Sequence, residues 1–262
     1  MVIIMKLYLH FFSIHLRSVF QYKLSFLLTS IGQFLVSFNV FLGIYFIFNR
    51  FNKVDGYNYS EVLLCFSIII MAYTIAESFI RGFDTFSSTI SNGEFDRILV
   101  RPRNEIFLVL ASKIEFTRIG RLIQAIIILV YGIATAHIVW TWDKVLTLVL
   151  MIFGGCVIFS CLFIIYASIC FFTLEGLEVM NILTDGAREF GKYPINIYGR
   201  GVLKFCTFLI PYALFQYYPF LYLTGRSDNP IFMILPVLAC GFAIPTYLFW
   251  KFGVRHYKST GS

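Results

Sequence analysis

Charge is what this sequence has least of. Only 13% of its 262 residues are Asp, Glu, Lys or Arg, about half the share in a soluble domain. The length would allow one or two soluble domains, but so little charge excludes them. Catalytic patterns are missing too: there is no nucleophile elbow, no His-Glu-x-x-His pair and no carboxylate dyad. The six cysteines, Cys65, Cys156, Cys161, Cys170, Cys206 and Cys240, all fall inside apolar runs. None is in a Cys-x-x-Cys pair or near a histidine at ligand spacing, so they read as small buried hydrophobes. No disulfide, metal site or catalytic residue is expected. The chain also shows no internal repeat of the kind that marks inverted-repeat secondary transporters.

What is abundant is apolar. Hydrophobic residues make up 59% of the chain, with 31 Phe and 16 Tyr, a composition suited to lipid-facing surfaces and interfacial belts. The net charge of +7 raises nucleic acid as a partner. The basic residues gather in loops between apolar runs, without a continuous basic stripe interleaved with stacking aromatics, so nucleic acid is rejected and membrane lipid expected.

Residues 1–23 are apolar but carry Lys6, His10, Ser13, Arg17 and Gln21 at steps of three and four. That polar stripe predicts a helix lying in the membrane interface. No small-residue cleavage site follows, so a signal peptide is not the reading. Uncharged or nearly uncharged runs then predict six spans, at about 24–49, 62–80, 122–140, 145–173, 205–225 and 231–250. Asp143-Lys144 is expected to make a tight turn between the third and fourth. Pro211 and Pro219 interrupt the fifth run, which predicts a helix that ends early and a re-entrant turn on the outer side. The last span should bend at Pro236 or Pro245.

Residues 175–204 read as a second inner loop. Glu175, Glu178, Asp185, Arg188, Glu189 and Lys192 alternate in sign as on a solvated helix face. Within it, Gly186 to Lys192 matches seven positions of a phosphate-binding loop. The eighth is Tyr193, where Mg²⁺ needs Ser or Thr, and no strand precedes the first Gly, so nucleotide binding is not expected. With this topology 17 Lys and Arg lie inside and four outside, which puts both termini in the cytoplasm. Glu77 and Arg81, at i and i+4, are expected to pair near the inner end of the second span.

The longest charged stretch, Arg81 to Arg121, holds seven of the 21 basic residues. At its centre, Gly93-Glu94-Phe95-Asp96-Arg97-Ile98-Leu99-Val100-Arg101-Pro102 reads as a short amphipathic helix. Asn92-Gly93 breaks the chain before it, and Pro102 disfavours helix at Arg101. Phe95, Ile98 and Leu99 share one face at i, i+3 and i+4.

This decapeptide, followed by Arg118 to Ile133, resembles the permease subunits of ABC-2 type export transporters. A six-span branch of that family has a loop reading roughly Gly-x-hydrophobic-Asp-x-x-Leu-x-Arg-Pro. Gly56 to Leu63 and the Tyr193-Pro194, Ile210-Pro211 and Tyr218-Pro219 pairs fit the same branch. The resemblance implies an all-α polytopic permease of the ABC-2 (type V) exporter kind, a single transmembrane domain over 1–262, in the inner or plasma membrane of a bacterium. It implies a second permease, the same chain or a related one, and a separate cytoplasmic ATPase in two copies that binds ATP and Mg. The 81–121 loop would couple to that ATPase. Phe95, Ile98 and Leu99 would enter its groove, with Glu94, Asp96, Arg97 and Arg101 at the rim. The second and fifth spans would line the path with Tyr73, Thr74, Ser78, Tyr212, Gln216 and Tyr217, a lining suited to an amphipathic, lipid-like, drug or peptide cargo.

Two other classes stay open on the residues alone, a secondary transporter or channel and a lipid-modifying membrane enzyme. Both usually need ionisable groups within or at the ends of spans, and Glu77 is the main candidate.

Overall fold

A computed structural model describes residues 2–173 and 181–259, with side chains from Lys6 onward. Among them the chain is helical, with one isolated bridge between Val54 and Tyr57. Glu175 and Glu178 lie outside the described residues. Helix is what the composition demands, because in hydrocarbon each backbone N–H and C=O must be paired within its own segment.

Helix α1 (Val2–Gln21) is separated from α2 (Lys23–Arg50) by a bend at Tyr22. It lies along the central loop, with Tyr8 against Phe107 and Phe12 edge-on to Phe116 at 5.0 Å. After α3 (Tyr59–Asp84) the loop folds into three short helices, α4 (Phe86–Ser91), α5 (Glu94–Leu99) and α6 (Glu105–Ser112). Then come α7 (Ile119–Thr135) and α8 (Trp142–Thr173). Asp143 and Lys144 are therefore in the first turn of α8, not in the expected tight turn; the reversal is made by residues 136–141, with His137 at φ 50°.

Five stretches of the described residues are long and apolar enough to cross a membrane: Lys23–Arg50, Tyr59–Ser91, Phe116–Thr135, Trp142–Thr173 and Ile231–His256. The second is the axis of the bundle. It is 83% buried over its most apolar stretch, against 17% for the first and last. α7 and α8 flank it through small residues. A Cβ on Gly132 would fall 3.2 Å from Leu64 Cα, and one on Gly155 would fall 2.7 Å from the Ala72 methyl. Glycine lets these backbones approach where lipid supplies no hydrophobic drive to bring them together.

The span expected over 205–225 is not one helix. α10 (Arg200–Phe208) and α11 (Tyr212–Leu223) are separated at Ile210-Pro211, and each is shorter than the roughly 20 residues a crossing needs. The two fold back on each other, with the Thr207 and Tyr218 hydroxyls 3.3 Å apart. The hairpin starts and ends at the same end of the bundle. Asn196, just before it, donates to Asp55 and accepts from Tyr57, while Arg226, just after it, donates to the Gly56 carbonyl and Glu61. The re-entrant character expected of the turn after it thus belongs to the whole of 200–223.

The stretch before the hairpin, which includes α9 (Ala187–Phe190), departs from an inner loop as well. It runs antiparallel along α3. Asp185 accepts from Tyr73, the Gly191 carbonyl faces Cys65, and Asn196 meets Tyr57. Tyr73 is about 21 Å along α3 from its first residue, Tyr59, and Tyr57 lies just before that end, so this segment climbs most of the bundle. In the final span α12 (Ile231–Ala239) passes through a tight turn at Cys240–Phe242 into α13 (Ala243–His256). That break falls between Pro236 and Pro245.

Candidate coupling helix and path residues

Gly93 stands at φ 67°, in the left-handed region, and caps α5 where a side chain would be strained. Phe95, two residues on, points into this chain's own core. Its ring is fully buried and lies 5.2 Å from Phe86, 5.1 Å from Phe171 and 5.1 Å from Tyr257, with Trp250 at 6.3 Å. Ile98 is half-buried against the same cluster. The expectation that Phe95 and Ile98 are offered to a partner's groove is corrected. An amphipathic face buries itself on whatever apolar surface is nearest, and here that surface is supplied by α4, α8 and α13.

The outward face is the other one. Leu99 is 43% exposed and Val100 82%, and Glu94, Arg97 and Arg101 are exposed around them. Asp96 is half-buried and accepts from the Ser259 hydroxyl at 2.6 Å. The chain's own C-terminal segment therefore lies over α5. Burial pushes the Tyr257 phenol up, and the Asp96 carboxylate near it adds to the shift. A second tie joins the loop to α13, where Lys251 donates to Glu105 at 2.6 Å. Burial alone would raise the Glu105 carboxyl; the Lys251 hydrogen bond and charge outweigh it and leave it below the usual carboxylate range. α5 is thus clamped to the ends of α8 and α13, so displacing it displaces both.

Half of the expected path residues are occupied with holding the 181–198 segment. Tyr73 donates to Asp185 at 2.7 Å, with the Arg188 guanidinium over its ring at 5.0 Å. Tyr212 donates to the Ala187 carbonyl at 2.8 Å. Gln216 donates to the Tyr193 carbonyl at 2.9 Å and lies 3.3 Å from that of Gly191. Tyr73, Tyr212 and Gln216 are brought together around one segment and are buried. Thr74 is buried on the same helix, Ser78 caps the Thr74 carbonyl at 2.7 Å, and Tyr217 stays half-buried beside Tyr218. These last three do not join the cluster.

Glu77 has more partners than its i+4 neighbour. Arg121 lies 2.7 Å from one carboxylate oxygen, and Arg118 lies 2.9 Å from the other, which Arg81 approaches at 3.4 Å. Arg81 pairs more closely with Asp84, and Arg121 also donates to Gln33 of α2. The pairing with Arg81 was legible as a spacing; the two arginines from α7 and its lead-in turn were not. Trp250, Tyr257 and Phe171, which cover Phe95, were also missed. They are far from it in sequence, and no spacing signals them.

Against known families, residues 34–261 match the model described as ABC-2 family transporter protein. No curated protein and no solved structure matches the chain.

Proposed function

Since the chain belongs to the ABC-2 transporter family, and is a multi-pass membrane protein with five apolar spans among its described residues, we propose that it is the membrane-spanning subunit of an ATP-driven exporter. Two copies of a cytoplasmic ATPase would dock on the central loop and supply ATP and Mg. Two permeases, of this chain or of this chain and a related one, would enclose the path for an amphipathic cargo. The loop end of the bundle and both termini would face the cytoplasm of a bacterial cell.

The observation that carries this reading is the two-sided build of α5. One side is locked by Phe95 onto α8 and α13, and the other offers Leu99 and Val100 within a ring of charges. A partner pressing on the exposed side has a rigid connection to two membrane helices. The docking surface follows as Glu94, Arg97, Leu99, Val100 and Arg101, with Phe95 as the internal anchor.

The test pairs two substitutions in the permease co-produced with its ATPase. Leu99→Asp should leave thermal stability within about 0.5 kcal/mol, as exposed changes usually do, and should release the ATPase. Phe95→Ala should lower stability by about 3–5 kcal/mol through the cavity it leaves. Co-purification that survives both Leu99→Asp and Val100→Asp would show that the ATPase docks elsewhere.

A further inference from the structure

A sizeable apolar cavity among the described residues is used by neither the coupling helix nor the expected path. It is a groove of about 480 Å³ between α2 and α7, with Tyr59 at the start of α3 beside Tyr45, a volume in the range of small-molecule sites. Phe34, Phe38, Phe41 and Tyr45 of α2 form one wall, and Tyr131 of α7 stands opposite. Phe34 to Tyr45 is about 16 Å of helix. Its lining is almost entirely apolar, and it opens sideways between two helices that are largely exposed.

Gln124 is the exception. It lines the groove and is only 3% exposed, and neither its carbonyl oxygen nor its amide nitrogen has a hydrogen-bond partner among the described residues. One turn away, Arg121 is tied to Glu77 and Gln33. An amide left unpaired in hydrocarbon is costly, and no water is at hand in the bilayer core to complete it. The group that satisfies a donor and an acceptor side by side, without bringing a charge into the membrane, is another amide.

We propose that this groove is a binding site for a neutral long-chain primary amide taken from the bilayer, its alkyl chain lying along the α2 aromatic rings and its C=O and N–H, side by side as in Gln124 itself, paired with that side chain. Pairing at Gln124 fixes the depth of the ligand, and the aromatic wall takes a single chain along the helix axis. The site stands on this chain alone and does not depend on an ATPase or on which cargo is exported.

The experiment uses the purified permease in lipid nanodiscs, without an ATPase, and two photoreactive probes. One is dodecanamide with a diazirine in its chain; the other is dodecane with the same diazirine. The amide probe should label α2 and α7 saturably, and Gln124→Leu should weaken it about tenfold, the worth of roughly one hydrogen-bonded pair. Dodecane labelling should not change. Phe38→Trp, which fills the groove and keeps Gln124, should block the amide probe as well. Equal labelling by both probes, or labelling that does not saturate, would reduce the groove to ordinary lipid-facing surface. Copies of Phe38→Cys that crosslink to each other and exclude the probe would assign the groove to a second chain, and overturn the proposal.

Discussion

Arg121 on α7 donates to Glu77 on α3 at 2.7 Å across the interface of those two helices. Both side chains are nearly inaccessible, and the same carboxylate also holds Arg118. One acid thus pairs with two arginines brought in by a different part of the chain. That makes Glu77 a joint between the start of α7 and the end of α3, with its carboxylate fully engaged.

Removing the acid leaves cations buried without a partner, the costly way to break a buried pair. Glu77→Gln should destabilise the bundle by about 3–5 kcal/mol. Arg81→Ala should cost much less, because Glu77 keeps two closer partners. Thermal unfolding in detergent checks the order. Equal losses for the two would mean that the i,i+4 pair, and not Arg118 and Arg121, carries the joint.

The sides of the membrane supply the next prediction. Asn196 and Arg226 tie both ends of the 200–223 hairpin to the loop before α3, which is the far end from α5. Cysteines placed at Arg200 and Lys53 in a thiol-free background should therefore label from one side, and a cysteine at Asn104 from the other. All three positions are exposed. Labelling of Arg200 together with Asn104 would return 181–204 to the inner face. The basic residues expected inside number 17 by sequence. Moving Arg188, Lys192, Arg200 and Lys204 out of that group leaves 13, and the excess on the loop side persists.

Hydropathy reads well where a segment meets lipid and poorly where it meets protein. α2, with most of its surface open, was legible to within a residue or two of both ends. The uncharged run 205–225 was read as a span because nothing in it is ionised, yet Ile210-Pro211 turns it back. The run before it was read as a loop because Asp185, Arg188, Glu189 and Lys192 are charged, yet those charges pair with each other and with Tyr73. Neutralised in this way, they can climb beside α3. The stripe of Phe95, Ile98 and Leu99 shows the same limit. Its period told that a face is covered, but Phe171, Trp250 and Tyr257, which cover most of it, are reached only through the fold.

Gln216 separates a path-lining role from a structural one. Its amide nitrogen serves the Tyr193 and Gly191 carbonyls and lies 3.0 Å from Cys65 Sγ. With Tyr212, it fastens the 187–193 stretch to the re-entrant hairpin. Gln216→Leu keeps the volume and removes the donor, leaving those two carbonyls short of a partner. The expected cost is about 1–3 kcal/mol, read as a lower unfolding temperature in detergent. Protease should also cut more readily within 187–193, the part that Gln216 and Tyr212 fasten to the hairpin. Tyr212→Phe removes one donor from the same stretch and should behave alike but more weakly. If Gln216→Leu unfolds at the unmodified temperature and resists protease equally, while ATP hydrolysis by the assembled transporter changes, the side chain faces the path after all. A loss of stability with unchanged hydrolysis per folded molecule would identify it as a tie.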